Sequence, residues 1–348
     1  MTQTMRTAVM TDLETVELTR RPIPQPGPGE VLVKIQCVGI CGSDLHYYES
    51  GRIGDFVVHP PFVLGHEAAG TVCALGQGVT HLKVGDRVAL EPGRTCGKCE
   101  FCRTGRYNLC PDVAFFATPP VDGVFCQYVA HDAQLCFALP DCVSFMEGAL
   151  VEPLAVGFHA AMQGGAHVGQ TAVITGAGCI GLVTLLALKA MGVTRVAVVD
   201  VLENRLEKAA ELGAFTVNGA QQDAAAQLMQ WTDGRGFDLA IETAGSEITA
   251  RQLIQSAKKG AVIVLVGYSP SGEMTLPVGM ALDKELTFKT VFRYRHLYPT
   301  VIDAIASGAA PVGQLVTNVF SLEEISQALA FCIHNKADVV KAVVMVDD

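Results

Sequence analysis

The chain has 348 residues, half of them apolar and 17% charged, so it can bury more than one core, and two domains are the natural expectation. A formal charge of −10 argues against sequence-independent binding to nucleic acid or an anionic membrane, both of which need a basic face. The first residues lack a cationic stretch followed by an apolar run, and no apolar run reaches spanning length, so a cytoplasmic protein is expected. In that setting the twelve cysteines are expected to be metal ligands or small buried groups rather than disulfides.

From Val31 to about Leu139 the chain consists of short β-like runs (VLVKIQCVGI, AAGTVCAL, DRVALEP, FCQYVA) between Gly, Pro and Asp turn signals, which predicts a β-rich lobe. Within it Cys96, Cys99, Cys102 and Cys110 follow a C-x2-C-x2-C-x7-C spacing. Four thiolates make a closed tetrahedral site, so a structural zinc is expected; an iron–sulfur cluster also takes four cysteines. The other cysteines, including Cys37, Cys73, Cys126, Cys136, Cys142, Cys179 and Cys332, have no ligand spacing and read as buried small apolar residues.

From about Gly169 apolar runs without strict alternation (QTAVITGAG, RVAVVD, FDLAIETAG, GAVIVLVG) alternate with helical segments such as 180–191, 203–212 and 248–257, which predicts parallel βαβ units. Gly176, Gly178 and Gly181 form a GxGxxG directly after a strand-like run and at the opening of a helix, the setting of a dinucleotide pyrophosphate site that includes Cys179 and Ile180. Asp200 ends the next strand-like run, 24 positions after Gly176. A carboxylate there accepts from ribose hydroxyls and repels a 2′-phosphate, so NAD is favoured over NADP. Arg205 nearby could stack on adenine or meet a phosphate. After Phe292 the reading is a helix, a turn at 308–311, a helix opening at Ser321 with Glu324 in capping-box position, and a final run KAVVMV.

GICGSDLHYY, PFVLGHEAAGTV, VGDRVALEPG, the four-cysteine segment and GAGCIG, in this order, resemble the zinc-containing medium-chain alcohol dehydrogenases over nearly the whole chain. VEPLAVGFHA, AFFATPPVDGVFCQY and VFRYRHLYP are more similar to the polyol branch, the sorbitol and xylitol dehydrogenases, than to the ethanol-oxidising branch. The resemblance implies an α/β chain with a GroES-like β-rich catalytic domain (1–153 and 293–348) and a doubly wound Rossmann domain (154–292) that binds NAD. It implies a catalytic zinc on Cys41, His66 and either Glu67 or Glu152. One thiolate, one neutral imidazole and one carboxylate already balance Zn²⁺, so one glutamate is expected to bind directly at a time.

The resemblance also implies a proton relay through Ser43 and His46, with a plain helix cap as the other reading of Ser43. Tyr47, Glu152, Arg293 and Tyr294 would face a polyol, and Val266, Gly267, Tyr268 and Phe292 would line the nicotinamide side. The implied reaction is oxidation of a secondary alcohol of sorbitol, xylitol or L-iditol to the ketose, with two zinc ions per chain and a homotetramer. No nucleic-acid or membrane partner is expected. Butanediol and threonine dehydrogenases share these motifs. A non-catalytic protein reusing the fold would be expected to lack the ligands, and all four are present.

Overall fold

The computed structural model describes residues 3–269 and 272–346. The chain divides into two compact units, one of Met1–Glu152 with Tyr298–Ala306 and Gly313–Asp348, the other of Pro153–Leu297 with Ser307–Val312. Arg293 and Tyr294 therefore fall in the second unit.

The first unit is organised by a seven-stranded mixed sheet. Its order runs Cys136–Ala138, Arg87–Leu90, Glu67–Leu75, Glu30–Gly39, Lys341–Met345, Val316–Ser321, and Tyr128–Asp132 also pairs with Glu30–Gly39. Glu30–Gly39 is the hub: Val31, Val33, Ile35, Cys37 and Val38 are fully buried, which explains why this segment reads as a near-continuous apolar run rather than an alternating one. Its last residue, Gly39, is opposite Glu67 on one side and Val343 on the other. Ile40 N–H donates to Ala342 O at 2.9 Å, so the pairing continues past the strand and brings Lys341 abreast of Cys41. The helix Gly42–Ser50 follows and stops at Gly51, whose left-handed backbone (φ +66°) lets its N–H reach Tyr47 O.

Among the elements with no counterpart in the sequence reading, two belong to the first unit's frame. A hairpin of Thr4–Asp12 and Thr15–Pro22 precedes the β-rich lobe, and the strand Val316–Ser321 precedes the predicted Ser321 cap. The cap itself forms: Ser321 N–H and Oγ donate to Glu324 Oε2 at 2.8 and 2.9 Å. A short 3₁₀ turn then leads into the helix Ile325–His334.

The second unit contains a six-stranded parallel sheet in the order Phe215–Asn218, Arg195–Asp200, Thr171–Thr175, Phe237–Glu242, Ala257–Leu265, Thr287–Thr290. The first strand in sequence, Thr171–Thr175, sits in the middle, so successive crossovers run in opposite directions from it. That arrangement opens a crevice at the C-terminal ends of Thr171–Thr175 and Phe237–Glu242. The predicted helices appear as Cys179–Ala190, Glu203–Glu211 and Glu247–Ser256. Among the described residues, no helix is long and apolar enough to cross a membrane.

Candidate active site and metal centres

Cys96, Cys99, Cys102 and Cys110 converge, with their sulfur atoms within 4.8 Å of one another. Cys96 and Cys102 sulfurs are 4.0 Å apart, close to the edge of about 3.8 Å that Zn–S bonds of about 2.3 Å give in a tetrahedron. Backbone amides point at the sulfurs: Cys99 N–H at Cys96 Sγ (3.3 Å), Cys102 N–H at Cys99 Sγ (3.4 Å) and Cys96 N–H at Cys110 Sγ (3.4 Å). The amides of Lys98 and Cys99 pull the Cys96 thiol down to about 7, whereas burial pushes Cys110 up to about 11. Four adjacent thiols do not ionise together unaided, and a dication is what allows all four to act as thiolates. The donor set therefore fits a structural zinc. Elsewhere, burial pushes Cys37 and Cys126 up to about 12 and Cys332 to about 11, as befits small buried groups. Cys73 and Cys142 correct that expectation, because both are exposed.

The second cluster is assembled from distant segments. Donor atoms of Cys41, His66 and Glu67 lie within 4.8 Å of one another, and His66 and Glu67 are buried. Glu67 thus joins the pair; Glu152, buried in the first turn of the helix Val151–Gly164, is not among the three. One thiolate, one imidazole and one carboxylate in a pocket shut off from water on most sides suit zinc with an open fourth position.

Two residues behind the cluster escape the sequence reading. Asp44 is fully buried; one carboxylate oxygen accepts from Cys41 N–H (3.0 Å), the other from Gly65 N–H (2.9 Å). The latter oxygen lies 3.7 Å from His66 Nδ1. An acid on Nδ1 orients the ring and leaves Nε2 for a metal. Burial works against charge on Asp44, but His66 and the two amides outweigh it and hold the carboxyl below its usual range. Burial likewise disfavours an imidazolium at His66, while the charges of Asp44 and Cys41 act the other way and raise its pKa well above the usual value. The available signal was the position of Asp44, three residues after Cys41 in a capping-box arrangement.

The other residue is Lys341. It is 2% exposed, and its ammonium lies 2.7 Å from Glu67 Oε1, 2.5 Å from Oε2 and 2.9 Å from Ile40 O. Removing one partner of such a buried pair costs about 3–5 kcal/mol. Gly39 makes room for it: a Cβ there would lie 1.9 Å from Glu67 Oε2.

Of the remaining first-unit candidates, Ser43 is half-buried and His46 exposed, one turn apart on the helix Gly42–Ser50. The N-cap of that helix is Cys41, so Ser43 is not its cap. Tyr47 is buried on the same helix. Phe115, in the AFFATPP segment, packs on His66 with ring centroids 5.7 Å apart. Glu91 is buried, accepts from Tyr107 OH at 2.7 Å, and is raised to about 7, chiefly by burial and further by the charge of Glu152.

In the second unit the first and last glycines of the GxGxxG each meet a steric demand. Gly176 has φ +91°, and a Cβ on Gly181 would lie 1.8 Å from Gly176 O. Gly178 caps the helix Cys179–Ala190, so Cys179 and Ile180 occupy its first turn, at the positive end of the helix dipole, which favours a pyrophosphate. Asp200 Oδ1 accepts from Val201 and Leu202 N–H at 2.7 and 2.9 Å, and Oδ2 from Ala177 N–H at 2.6 Å. Asp200 and Gly176 line a cavity of about 240 Å³ with Ala244, Ile248 and Thr249. The guanidinium of Arg205 lies near Gly178, 3.7 Å from where a Cβ would be.

Val266 and Gly267 N–H groups both donate to Glu242 O at 2.9 Å, and Tyr268 is exposed. Phe292 is half exposed, with the Arg293 guanidinium 4.8 Å from its ring centre. Arg293 holds φ +55°, an uncommon conformation for a branched-chain-free but bulky residue, and Tyr294 beside it is buried.

Residues 27–141 match the alcohol dehydrogenase GroES-like domain, and residues 179–307 the zinc-binding dehydrogenase domain. Sorbitol dehydrogenase of Bacillus subtilis is 43% identical over 98% of this chain and 97% of its own length. An Escherichia coli oxidoreductase of unknown specificity superposes with a TM-score of 0.95 at 42% identity, covering 99% of this chain and all of its own. The 2R,3R-butanediol dehydrogenase of Bacillus subtilis has a TM-score of 0.91 at 33% identity, covering 99% and 100%. The chain belongs to the zinc-containing medium-chain alcohol dehydrogenases, in their polyol dehydrogenase branch, and is an NAD-dependent alcohol oxidoreductase.

Proposed function

We propose that the chain oxidises a secondary hydroxyl of a polyol, sorbitol, xylitol or L-iditol, to the corresponding ketose with reduction of NAD. The observation that carries this reading is the convergence of Cys41, His66 and Glu67 in a chain that also forms the Gly176–Gly181 and Asp200 cradle. When bound, zinc and NAD supply the Lewis acid and the hydride acceptor. Ser43 takes the hydroxyl proton, and His46, exposed one turn later, hands it to solvent. Asp44 lies between them in sequence but is committed to the amides of Cys41 and Gly65, so it stays outside the relay. Cys179, Ile180 and Arg205 hold the pyrophosphate and adenosine portions; Val266, Gly267, Tyr268 and Phe292 line the nicotinamide.

Tyr47, Glu152, Arg293 and Tyr294 are assigned to the polyol. Several adjacent hydroxyls need several donors and acceptors, which an arginine fork, a carboxylate and phenols provide. The reading includes a cytoplasmic homotetramer. Likeness to the butanediol dehydrogenase favours a vicinal diol as the second substrate class.

The test is NADH formation with sorbitol, xylitol, L-iditol, butanediol and threonine, before and after chelation. Polyol turnover that disappears with the metal supports the proposal; turnover indifferent to complete metal removal defeats it. Arg293→Ala should cut kcat/KM for polyols roughly 10- to 150-fold more than for a monohydroxy alcohol, the worth of a charged hydrogen bond. Equal losses would remove Arg293 from the substrate assignment.

A further inference from the structure

Glu67 has two claims on its carboxylate. Its donor atom belongs with those of Cys41 and His66, yet both its oxygens lie within 2.7 Å of the Lys341 ammonium. The pair is built into the sheet rather than acquired by chance rotation of surface chains. Gly39 faces Glu67 across one ladder and Val343 across the other, and the continued register brings Lys341 beside the Cys41 segment. The bond from Lys341 to Ile40 O fixes the ammonium at the residue preceding Cys41. Only a residue without a Cβ leaves room at position 39.

We propose that Lys341 is a positioning residue for the catalytic metal: its ammonium is the counter-charge of Glu67 in the metal-free chain, and with metal present it holds that carboxylate so that Glu67 ligates without cancelling the positive charge of the centre. The inference rests on the reading of Cys41, His66 and Glu67 as metal ligands. A thiolate and a carboxylate alone neutralise Zn²⁺, and a neutral centre is a weak Lewis acid. The fixed cation next to the carboxylate leaves a net positive charge facing the substrate. The same cation repels a dication, so the lysine weakens metal retention while strengthening metal chemistry.

This predicts opposite effects of Lys341→Met on the two forms of the protein. Without metal, Glu67 is left buried with no counter-charge and the melting temperature falls. With zinc, the ion takes over that role and most of the loss is recovered. The measurement is the zinc-linked rise in melting temperature, each chain referred to the same chain carrying His66→Ala, so that the four-cysteine lobe is a common background. A rise several degrees larger in Lys341→Met than in wild type, zinc extraction by chelator roughly tenfold slower, and return of both to wild-type values in Lys341→Arg support the proposal.

Equal falls in the metal-free and zinc-loaded forms mean a purely structural lysine and overturn it. If the methionine variant does not fold, Lys341→Gln, which keeps a donor for Ile40 O and removes the charge, is measured in the same way against the same outcomes. A wild-type rise that does not differ from that of His66→Ala overturns the metal centre and the inference together. A clear wild-type difference left unchanged in the lysine variants overturns the inference alone.

Discussion

The two metal-type clusters of the first unit are built by opposite means. The four-cysteine lobe is closed within fifteen residues, its ligands are mostly half-exposed, and its own backbone amides address the sulfurs. The Cys41, His66 and Glu67 cluster exists only because three sheet strands meet in register, and buried charges, Asp44 and Lys341, stand behind its ligands. The difference tracks chemistry. A saturated site needs ligands and a loop, whereas a site with an open position needs its charge and ligand orientation managed from outside.

The sharpest way to break this comparison is to remove one ligand from each cluster. His66→Ala should reduce bound zinc from two to one per chain and cut kcat by on the order of 10³-fold, since several kcal/mol of charge stabilisation go with the ion; metal analysis beside steady-state kinetics decides it. Retention of both ions would show that the dispersed cluster is not a metal centre. Cys99→Ser should act on the other axis, lowering the melting temperature by several degrees while kcat per folded chain stays within about twofold. A large fall in kcat with unchanged melting would reverse the assignment of the two clusters.

The smallest effect concerns the link between them. Tyr107, which belongs to the four-cysteine lobe, donates to Glu91, and Glu91 is charge-coupled to Glu152. With its folded pKa raised to about 7 from 4.5, Glu91 keeps a proton that the unfolded chain has already lost. Its contribution is therefore neutral below about pH 4.5 and increasingly unfavourable as pH rises through 7. Glu91→Gln should match wild type in stability near pH 4.5 and exceed it by on the order of 1–3 kcal/mol at pH 8. Denaturant unfolding at the two pH values measures this; a constant offset would mean that Glu91 is already ionised in the folded chain.

Legibility in the sequence followed the same division. The four-cysteine spacing, the GxGxxG and Asp200 are local patterns, and the structure brings each set together where the pattern implies. The parallel sheet and its helices were legible because doubly buried strands and amphipathic helices leave distinct periodicities. Lys341 was not, because KAVVMV reads as an ordinary strand and only the pairing of residues 37–39 with 343–345 reveals what its first side chain meets. Asp44 was not legible either: its carboxylate accepts from Cys41 N–H within the helix start, and its approach to His66 exists only once Gly65 and His66 are folded against that turn. The hairpin Thr4–Asp12 with Thr15–Pro22 was missed because its second strand alternates exposed and half-buried polar residues with little apolar signal.

The sheet register also sets an order of events. The ligands of the four-cysteine lobe are contiguous and leave the ribosome together, so that lobe can capture its ion while the rest of the chain is still being made. Lys341 emerges about three hundred residues after Cys41, and the strand that carries it must dock beside Gly39 before the second pocket has its back wall. If Lys341 positions Glu67 as proposed, completion of that centre would be a late step of maturation, and a chain truncated before the C-terminal strand would keep the four-cysteine site while lacking the back wall of the other.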